Sequence, residues 1–304
     1  MSGFLNWLFG RGGGAQPRRR PERRGPELGP QELARRLRMS LRELEGVRPT
    51  YRSFQIPKRS GGRRTILVPD DRLKSLQRRI LRRVLARLKS HPAATGFERG
   101  HSIVTNALPH VGKDVVIRMD LKDFFGSTSA ERVNEYFICI GWSEEAAKLL
   151  TRLVTHEGAL PQGAPTSPRL SNLVNGRLDA RLEGFAQKRG VSYSRYADDI
   201  VFSGAASGKE GRINDLIHAA KMIVADEGYV VHVHKKLRIS RRHDRQMVTG
   251  LMVNEKVNLP REVRRRLRAV EHHLKTGKEA TLTAQQLAGW KALQSMIVTQ
   301  SATE

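Results

Sequence analysis

The stretch Ser192 to Gly204 constrains this chain more than any other, because it sets Asp198 and Asp199 side by side between two runs of aromatic and β-branched residues. Such runs form strands, and a short polar break between them forms a hairpin turn. Asp-Asp is a poor turn unless something sits on it. Two unit negative charges about 4 Å apart repel by roughly 4 kcal/mol at the effective dielectric of a protein surface. A hard divalent cation with oxygen ligands, Mg²⁺ above all, relieves that repulsion. An isolated Asp-Asp is more often a solvated acidic turn, so the reading depends on what the rest of the chain adds.

Three further stretches add to it. Asp114 to Asp120 reads as a buried strand ending in acid, and a carboxylate there is costly without a partner. It leads through Leu121-Lys122-Asp123-Phe124-Phe125-Gly126 to a helix from about Ser129 to Ile140. Gly158 to Pro168 is a Gly/Pro loop containing Gln162, opening one long helix through Leu170, Leu173, Leu178, Leu182 and Phe185. Phe54–Pro57 and Thr65–Pro69 read as strands flanking Lys58-Arg59-Ser60-Gly61-Gly62-Arg63-Arg64, a basic hairpin able to fold charge and backbone N–H groups over a polyphosphate.

The remaining segments are basic and amphipathic. Asp71–Ser90 is expected as a helix with Arg78, Arg79, Arg82, Arg83 and Arg87 largely on its polar face, facing a phosphate backbone. Gly211–Glu227 is a helix, and Tyr229–Ile239 a strand carrying Lys235 and Lys236. His232 and His234 share a face of that strand, but no third metal ligand accompanies them. Met247–Asn254 is a short hairpin. Pro260 starts a helix with Val263, Leu267, Val270 and Leu274 inward and Arg261, Arg264, Arg265 and Arg268 available to phosphates.

A formal net charge of +25 over 304 residues calls for a polyanionic partner. No run approaches the roughly 18 apolar residues of a spanning helix, so nucleic acid is preferred to membrane. The single Cys139 excludes an internal disulfide framework and fits a reducing cytoplasm. Met1–Gly10 is too short for a secretory signal, and Arg11–Pro30 has the composition of a flexible basic arm.

In this order the motifs resemble those of reverse transcriptases: Asp120 in the first, Leu160-Pro161-Gln162-Gly163-Ala164-Pro165-Thr166-Ser167-Pro168 in the second, Tyr196-Ala197-Asp198-Asp199 in the third. The bacterial retron enzymes are the nearest in pattern, because Asn106-Ala107-Leu108-Pro109-His110 matches their Asn-Ala-x-x-His element and Val248-Thr249-Gly250 their Val-Thr-Gly triplet.

The resemblance implies an α+β right-hand polymerase, its palm a small antiparallel sheet covered by helices. It divides the chain into a basic arm (1–30), N-terminal helices and fingers (31–113), palm with inserted fingers helices (114–245), and primer-grip hairpin and thumb (246–304). It implies that Asp120 and Asp198 hold two Mg²⁺ ions, with Mn²⁺ able to substitute, that Leu121 adds a backbone ligand, and that Asp199 is bound less directly. Lys58, Arg64, Asp123, Phe124, Phe125 and Gln162 would surround the dNTP, with Phe125 as the gate against a ribose 2′-OH. Lys236 would protonate departing pyrophosphate; the family pattern is Lys-Thr, whereas here Lys235-Lys236-Leu237 stands. Asn106, His110, Val248, Thr249, Gly250, Arg261, Arg264, Arg265 and Arg268 would contact RNA or primer. The implied partners are a structured noncoding RNA, primed at a guanosine 2′-OH and left joined to its DNA product, and an effector protein in anti-phage defence.

Three readings compete. A group II intron enzyme shares the motifs, but the chain stops soon after the thumb helix, leaving no room for a maturase or nuclease extension. An RNA-dependent RNA polymerase would carry Gly-Asp-Asp and a second Asp where Phe125 stands. A noncatalytic RNA-binding scaffold has no need of intact Asp120, Asp198, Asp199 and Gln162.

Overall fold

The computed structural model describes residues 27–57, 61–205, 210–232 and 237–302. In chain order the helices are α1 (Pro30–Leu37), α2 (Leu41–Glu45), α3 (Asp71–Ile80), α4 (Ile103–Ala107), α5 (Ala130–Cys139), α6 (Glu144–Val154), α7 (Ser167–Leu173), α8 (Gly176–Gln187), α9 (Glu210–Asp226), α10 (Arg261–Lys275) and α11 (Ala284–Ser301). The strands are β1 (Tyr51–Pro57), β2 (Arg63–Pro69), β3 (Val115–Asp120), β4 (Ser192–Tyr196), β5 (Asp199–Gly204), β6 (Arg238–Arg241), β7 (Met247–Val248) and β8 (Leu251–Met252). They form two compact units. The first takes the chain up to His91, Lys122–Arg181 and Asp226–Tyr229; the second takes Pro92–Leu121, Leu182–Ala225 and residues from Val230 onward.

The first unit is a helical core bearing a hairpin. Leu33 and Leu37 of α1, Leu73, Leu76 and Ile80 of α3, and Leu150 and Leu153 of α6 close around Phe137 and Trp142. Burying each such side chain stabilises the fold by about 1.5–3 kcal/mol. Gln77 is drawn into this core because its amide finds partners there: Nε2 donates to the Leu153 carbonyl (2.9 Å) and to the Tyr51 hydroxyl (2.8 Å). The long helix expected over Asp71–Ser90 is α-helical only to Ile80 and continues as a π-helical turn, Leu81–Leu85. The hairpin of β1 and β2 pairs from Tyr51↔Pro69 to Pro57↔Arg63 and leaves Phe54 and Ile56 exposed.

Two helical features depart from expectation. The single helix expected after the Gly/Pro loop is broken between α7 and α8. Asn175 turns its Nδ2 onto the Ser171 carbonyl (2.8 Å), an alternative to the helical ladder that Asn side chains favour, and the helix-poor Gly176 follows. Helix α6 was not anticipated, although Leu149, Leu150, Leu153 and Val154 have helical spacing and Ser143 caps its start.

The second unit holds a four-stranded antiparallel sheet in the order β4-β5-β3-β6. Val116 and Val201 on one face pack against Val104 and Ala107 of α4, Val248 and Leu251 of the β7–β8 hairpin, Leu267 and Val270 of α10, and Leu287 and Ile297 of α11. Helix α11 was also not anticipated. The strand expected over Tyr229–Ile239 is shorter than that: Val231 makes an isolated antiparallel bridge to Leu121, and regular pairing with β3 involves Arg238 to Arg241. Among the described residues no helix is long and apolar enough to cross a membrane.

Candidate active site

The sheet of the second unit brings the predicted carboxylates to one end. Asp120 is the last residue of β3 and stands in register with Asp199, the first of β5. Residues paired across a ladder project to the same face, so the two carboxylates lie on one side of the sheet. Asp198 follows from the turn: Tyr196 pairs with Asp199, leaving a two-residue turn of Ala197 and Asp198. The Leu121 N–H donates to the Asp198 carbonyl (2.9 Å), tying the end of β3 to that turn, and the His232 N–H donates to the Asp120 carbonyl (2.7 Å). Asp120 is only 5 % exposed, so its carboxylate is held in place and away from bulk water. Arg118 puts Nη2 3.6 Å from Asp199 Oδ1, so Asp199 has a cation of its own.

The turn is strained and held from behind. Ala197 has φ +56°, a position where a two-residue turn ordinarily takes glycine. A non-glycine residue there costs about 1–3 kcal/mol and persists only where its surroundings over-determine it. Those surroundings are identifiable. The segment Ala93–Thr95 pairs in parallel with β4: the Arg195 N–H donates to the Ala93 carbonyl (2.8 Å) and the Thr95 N–H to the Arg195 carbonyl (2.9 Å). Gly96 then lies directly against the turn, where a Cβ would come within 2.7 Å of the Ala197 nitrogen. The guanidinium of Arg195, 0 % exposed, donates from Nη1 to the Ala197 carbonyl (3.0 Å). Phe97 lies beside Tyr196, with ring centroids 6.3 Å apart.

The Asn-Ala-x-x-His element belongs to this support, which corrects its expected role. Asn106 and His110 are both 0 % exposed and cannot touch RNA. Asn106 Oδ1 accepts from the Thr95 hydroxyl (2.7 Å), fixing the segment that pairs with β4. His110 bridges the two strands of the acidic hairpin, with Nδ1 2.7 Å from Ser203 Oγ on β5 and Nε2 2.8 Å from Ser194 Oγ on β4. Burial pushes its pKa down to about 3, so the ring is neutral, with one nitrogen donating and the other accepting. Val248 is likewise buried; Thr249 and Gly250 form the β7–β8 turn with φ +45° and +84°, and the Thr249 hydroxyl donates to the Ile103 carbonyl (2.8 Å). Of the helix α10 arginines, Arg261, Arg265 and Arg268 are exposed and Arg264 is half-buried.

The expected nucleotide-side residues lie in the first unit, where backbone bonds join their three loops. Asp123 has φ +46°, and its carbonyl accepts from the Ser127 N–H (2.7 Å), turning the chain just after β3. Phe124 is buried against Tyr229, while Phe125 is half-buried. The Leu160 N–H donates to the Thr128 carbonyl (3.0 Å), and the Leu67 N–H of β2 to the Gln162 carbonyl (2.8 Å). Gly163, at φ +129°, makes that approach feasible, since a Cβ there would meet the Leu67 carbonyl oxygen at 2.7 Å. Arg64 is exposed on β2. Lys58, His234, Lys235 and Lys236 lie outside the described residues, as does the basic arm up to residue 26.

Sequence reading missed Gly96, Thr95 and Arg195. Arg195 was accessible by parity: it shares a face of β4 with buried Tyr193, and their cross-strand partners are the apolar Ile200 and Phe202. Nothing local marked Gly96, whose role comes from a partner a hundred residues away.

Acidic groups at one end of an antiparallel sheet, on a strand end and the adjacent hairpin turn, define the palm of a template-directed nucleic-acid polymerase. Among the described residues no three His, Cys, Asp or Glu side chains form a group that could hold a metal ion by themselves. The family model described as "Reverse transcriptase (RNA-dependent DNA polymerase)" matches residues 56–247. The Retron Ec86 reverse transcriptase of Escherichia coli is 37 % identical over 79 % of this chain and 74 % of its own length. Two from Myxococcus xanthus, Retron Mx65 and Retron Mx162, are 43 % and 41 % identical over 73 % and 75 % of this chain. The chain spans 55 % and 53 % of their lengths. A solved telomerase from Candida albicans, bound to a fragment of telomeric RNA, shares the fold at a TM-score of 0.51, with 12 % identity over 73 % of this chain and 47 % of that one.

The chain belongs to the retron reverse transcriptases and is an RNA-directed DNA polymerase. Enzymes of this family use divalent metal ions.

Proposed function

We propose that this polymerase copies a structured noncoding RNA into DNA by two-metal nucleotidyl transfer at Asp120 and Asp198. The observation that carries the reading is the register of Asp120 with Asp199, together with the bond from the Leu121 N–H to the Asp198 carbonyl. It brings the backbones of Asp120, Asp198 and Asp199 to one end of one sheet.

Two Mg²⁺ ions, held by Asp120, Asp198 and the Leu121 carbonyl, would neutralise the triphosphate and stabilise the attacking and leaving oxygens. Asp199, already facing Arg118, shapes the field around the pair more than it ligates. Asp123, Phe124 and Phe125 supply backbone beside the triphosphate, and the Phe125 ring excludes a ribose 2′-OH. Arg64 and Lys58 carry the charge of the fingers hairpin, Gln162 contacts the incoming nucleotide, and Lys236 donates a proton to pyrophosphate. Residues 31–113, 114–245 and 246–304 take the roles of fingers, palm and thumb, with Arg261, Arg264, Arg265 and Arg268 along the primer–template duplex.

Priming from a guanosine 2′-OH, a branched RNA–DNA product, cytoplasmic action and a defence role with an effector protein complete the proposal. They rest on the retron relationship. The test is Mg²⁺-dependent dNTP incorporation on the copurifying RNA. The Asp198→Asn, Asp199→Asn double variant is expected to bind that RNA and make no DNA. Extension by the double variant would remove these residues from the chemistry, and a product lacking a 2′–5′ linkage would refute the priming step.

A further inference from the structure

The first unit carries a cavity of about 470 Å³ lined by Arg38, Arg79, Arg82 and Arg83, none of which is among the residues assigned to catalysis. Small-molecule pockets of this size are lined mainly by apolar and aromatic side chains. Here every lining residue is an arginine, so an apolar floor of side-chain stems is combined with four positive charges that select for an anion. Among the described residues none of the four has a carboxylate partner, and the nearby acid Glu32 is engaged by Arg35 and Arg36.

Two of the four charges are positioned by backbone carbonyls. Arg79 Nη1 donates to the Leu37 carbonyl (2.9 Å) and Arg83 Nη1 to the Arg36 carbonyl (3.3 Å), so the last turn of α1 holds both side chains. Each guanidinium has five N–H donors, and one such bond leaves the others for a ligand. Arg38 terminates α1 in the left-handed conformation, φ +52°, where glycine is the usual residue. Keeping an arginine there costs stability and sets a charge on the rim. Arg82 and Arg83 come from the π-helical turn Leu81–Leu85, and such turns are frequent at functional sites.

We propose that this arginine cavity anchors phosphodiester groups of the RNA backbone, through residues that take no part in the polymerase chemistry. Guanidinium forks match phosphate oxygens in pairs, and several fixed forks around one cavity would hold a bend of the chain where phosphates crowd. The inference rests on the reading of the protein as an RNA-copying enzyme, since it takes RNA as the polyanion.

The test uses the full chain and a fluorescently labelled RNA hairpin of mixed sequence. The cavity triple variant Arg79→Gln, Arg82→Gln, Arg83→Gln is compared with Arg72→Gln, Arg78→Gln, Arg87→Gln, which removes the same charge from the same helical segment outside the cavity. The cavity variant is expected to bind at least about tenfold more weakly than the control variant and to lower the salt slope by roughly one for each phosphate it no longer neutralises. Arg79→Lys, Arg82→Lys, Arg83→Lys is expected to recover only part of that affinity. Equal losses in the two Gln variants would overturn the proposal, as would full recovery with Lys, because diffuse charge would then suffice. Independently, RNA is expected to protect Arg79, Arg82 and Arg83 from phenylglyoxal modification, and inorganic tripolyphosphate to compete. Protection by poly-glutamate and not by RNA would overturn it in favour of an acidic polypeptide. Failure here leaves primer extension and its loss in the Asp198 and Asp199 variants untouched, whereas failure of the polymerase reading shows in those variants alone.

Discussion

Gly96→Ala tests whether the acidic turn proposed to carry the chemistry is held from behind. The added Cβ would stand 2.7 Å from the Ala197 nitrogen and 3.2 Å from the Tyr196 carbonyl carbon, both backbone atoms that cannot rotate aside. Ordinary contact begins at 3.4 Å, so the turn or the Ala93–Phe97 segment must give about 0.7 Å. Overpacking of this kind costs typically about 1–3 kcal/mol, and a displacement near 1 Å at a reacting centre lowers a rate by about a hundredfold. The expected result is a fall of roughly ten- to a hundredfold in kcat with a folded protein and a little-changed KM for dNTP. Steady-state incorporation on a homopolymer template–primer, normalised to the folded fraction from a thermal melt, reads this directly. Gly289→Ala is the matched control. A Cβ there meets nothing within 4 Å, and alanine in the middle of α11 is expected to add roughly 0.5–1 kcal/mol with kcat unchanged. Wild-type kcat in Gly96→Ala would refute the idea that contact with Gly96 sets the position of Asp198.

Other predictions bear on separate parts of the molecule. The folded-state pKa of His110 is depressed to about 3 against an ordinary value of 6.5, so below pH 6.5 the unfolded chain binds a proton that the folded chain refuses. This group therefore lowers stability as pH falls through that window, by about 2 kcal/mol between pH 7 and pH 5, and urea titrations should show that component missing from His110→Gln. Phe125→Ala is expected to raise the use of rNTPs relative to dNTPs by at least about tenfold in competition assays; unchanged sugar discrimination would remove the ring from the gate. Replacing Arg261, Arg264, Arg265 and Arg268 by Gln should weaken primer–template binding uniformly across sequences and flatten its salt dependence by roughly one unit for each phosphate left without its arginine. A slope equal to wild type would place those side chains off the duplex.

The carboxylate end of the antiparallel sheet was legible because its determinants are local. Alternation in Val115–Asp120 and in the two runs around Ala197-Asp198 defines the strands, and charge repulsion marks their junction. The α+β class, the basic hairpin and the arginine-bearing helix α10 were legible for the same reason. The roles of Asn106 and His110 were not. A polar residue in a short motif looks alike whether it serves a ligand or a buried network, and only long-range contacts with Thr95, Ser194 and Ser203 separate the two. The break at Asn175 was hidden because the apolar spacing continues through it while the side-chain amide competes for the backbone.

The parallel pairing of Ala94 with Arg195 also bears on the order in which the enzyme matures. A β-hairpin of strands β4 and β5 closes locally within microseconds, but its turn is braced only when a segment about a hundred residues upstream closes onto it. Closing such a loop costs roughly 4 kcal/mol of chain entropy beyond the constant term. On a ribosome the bracing segment emerges first and waits, whereas Gln300, which accepts from Ser102 at the start of α4, is made about two hundred residues after it. A nascent chain thus carries a formed acidic hairpin on an unfinished scaffold, and polymerase competence should wait until synthesis has passed α11.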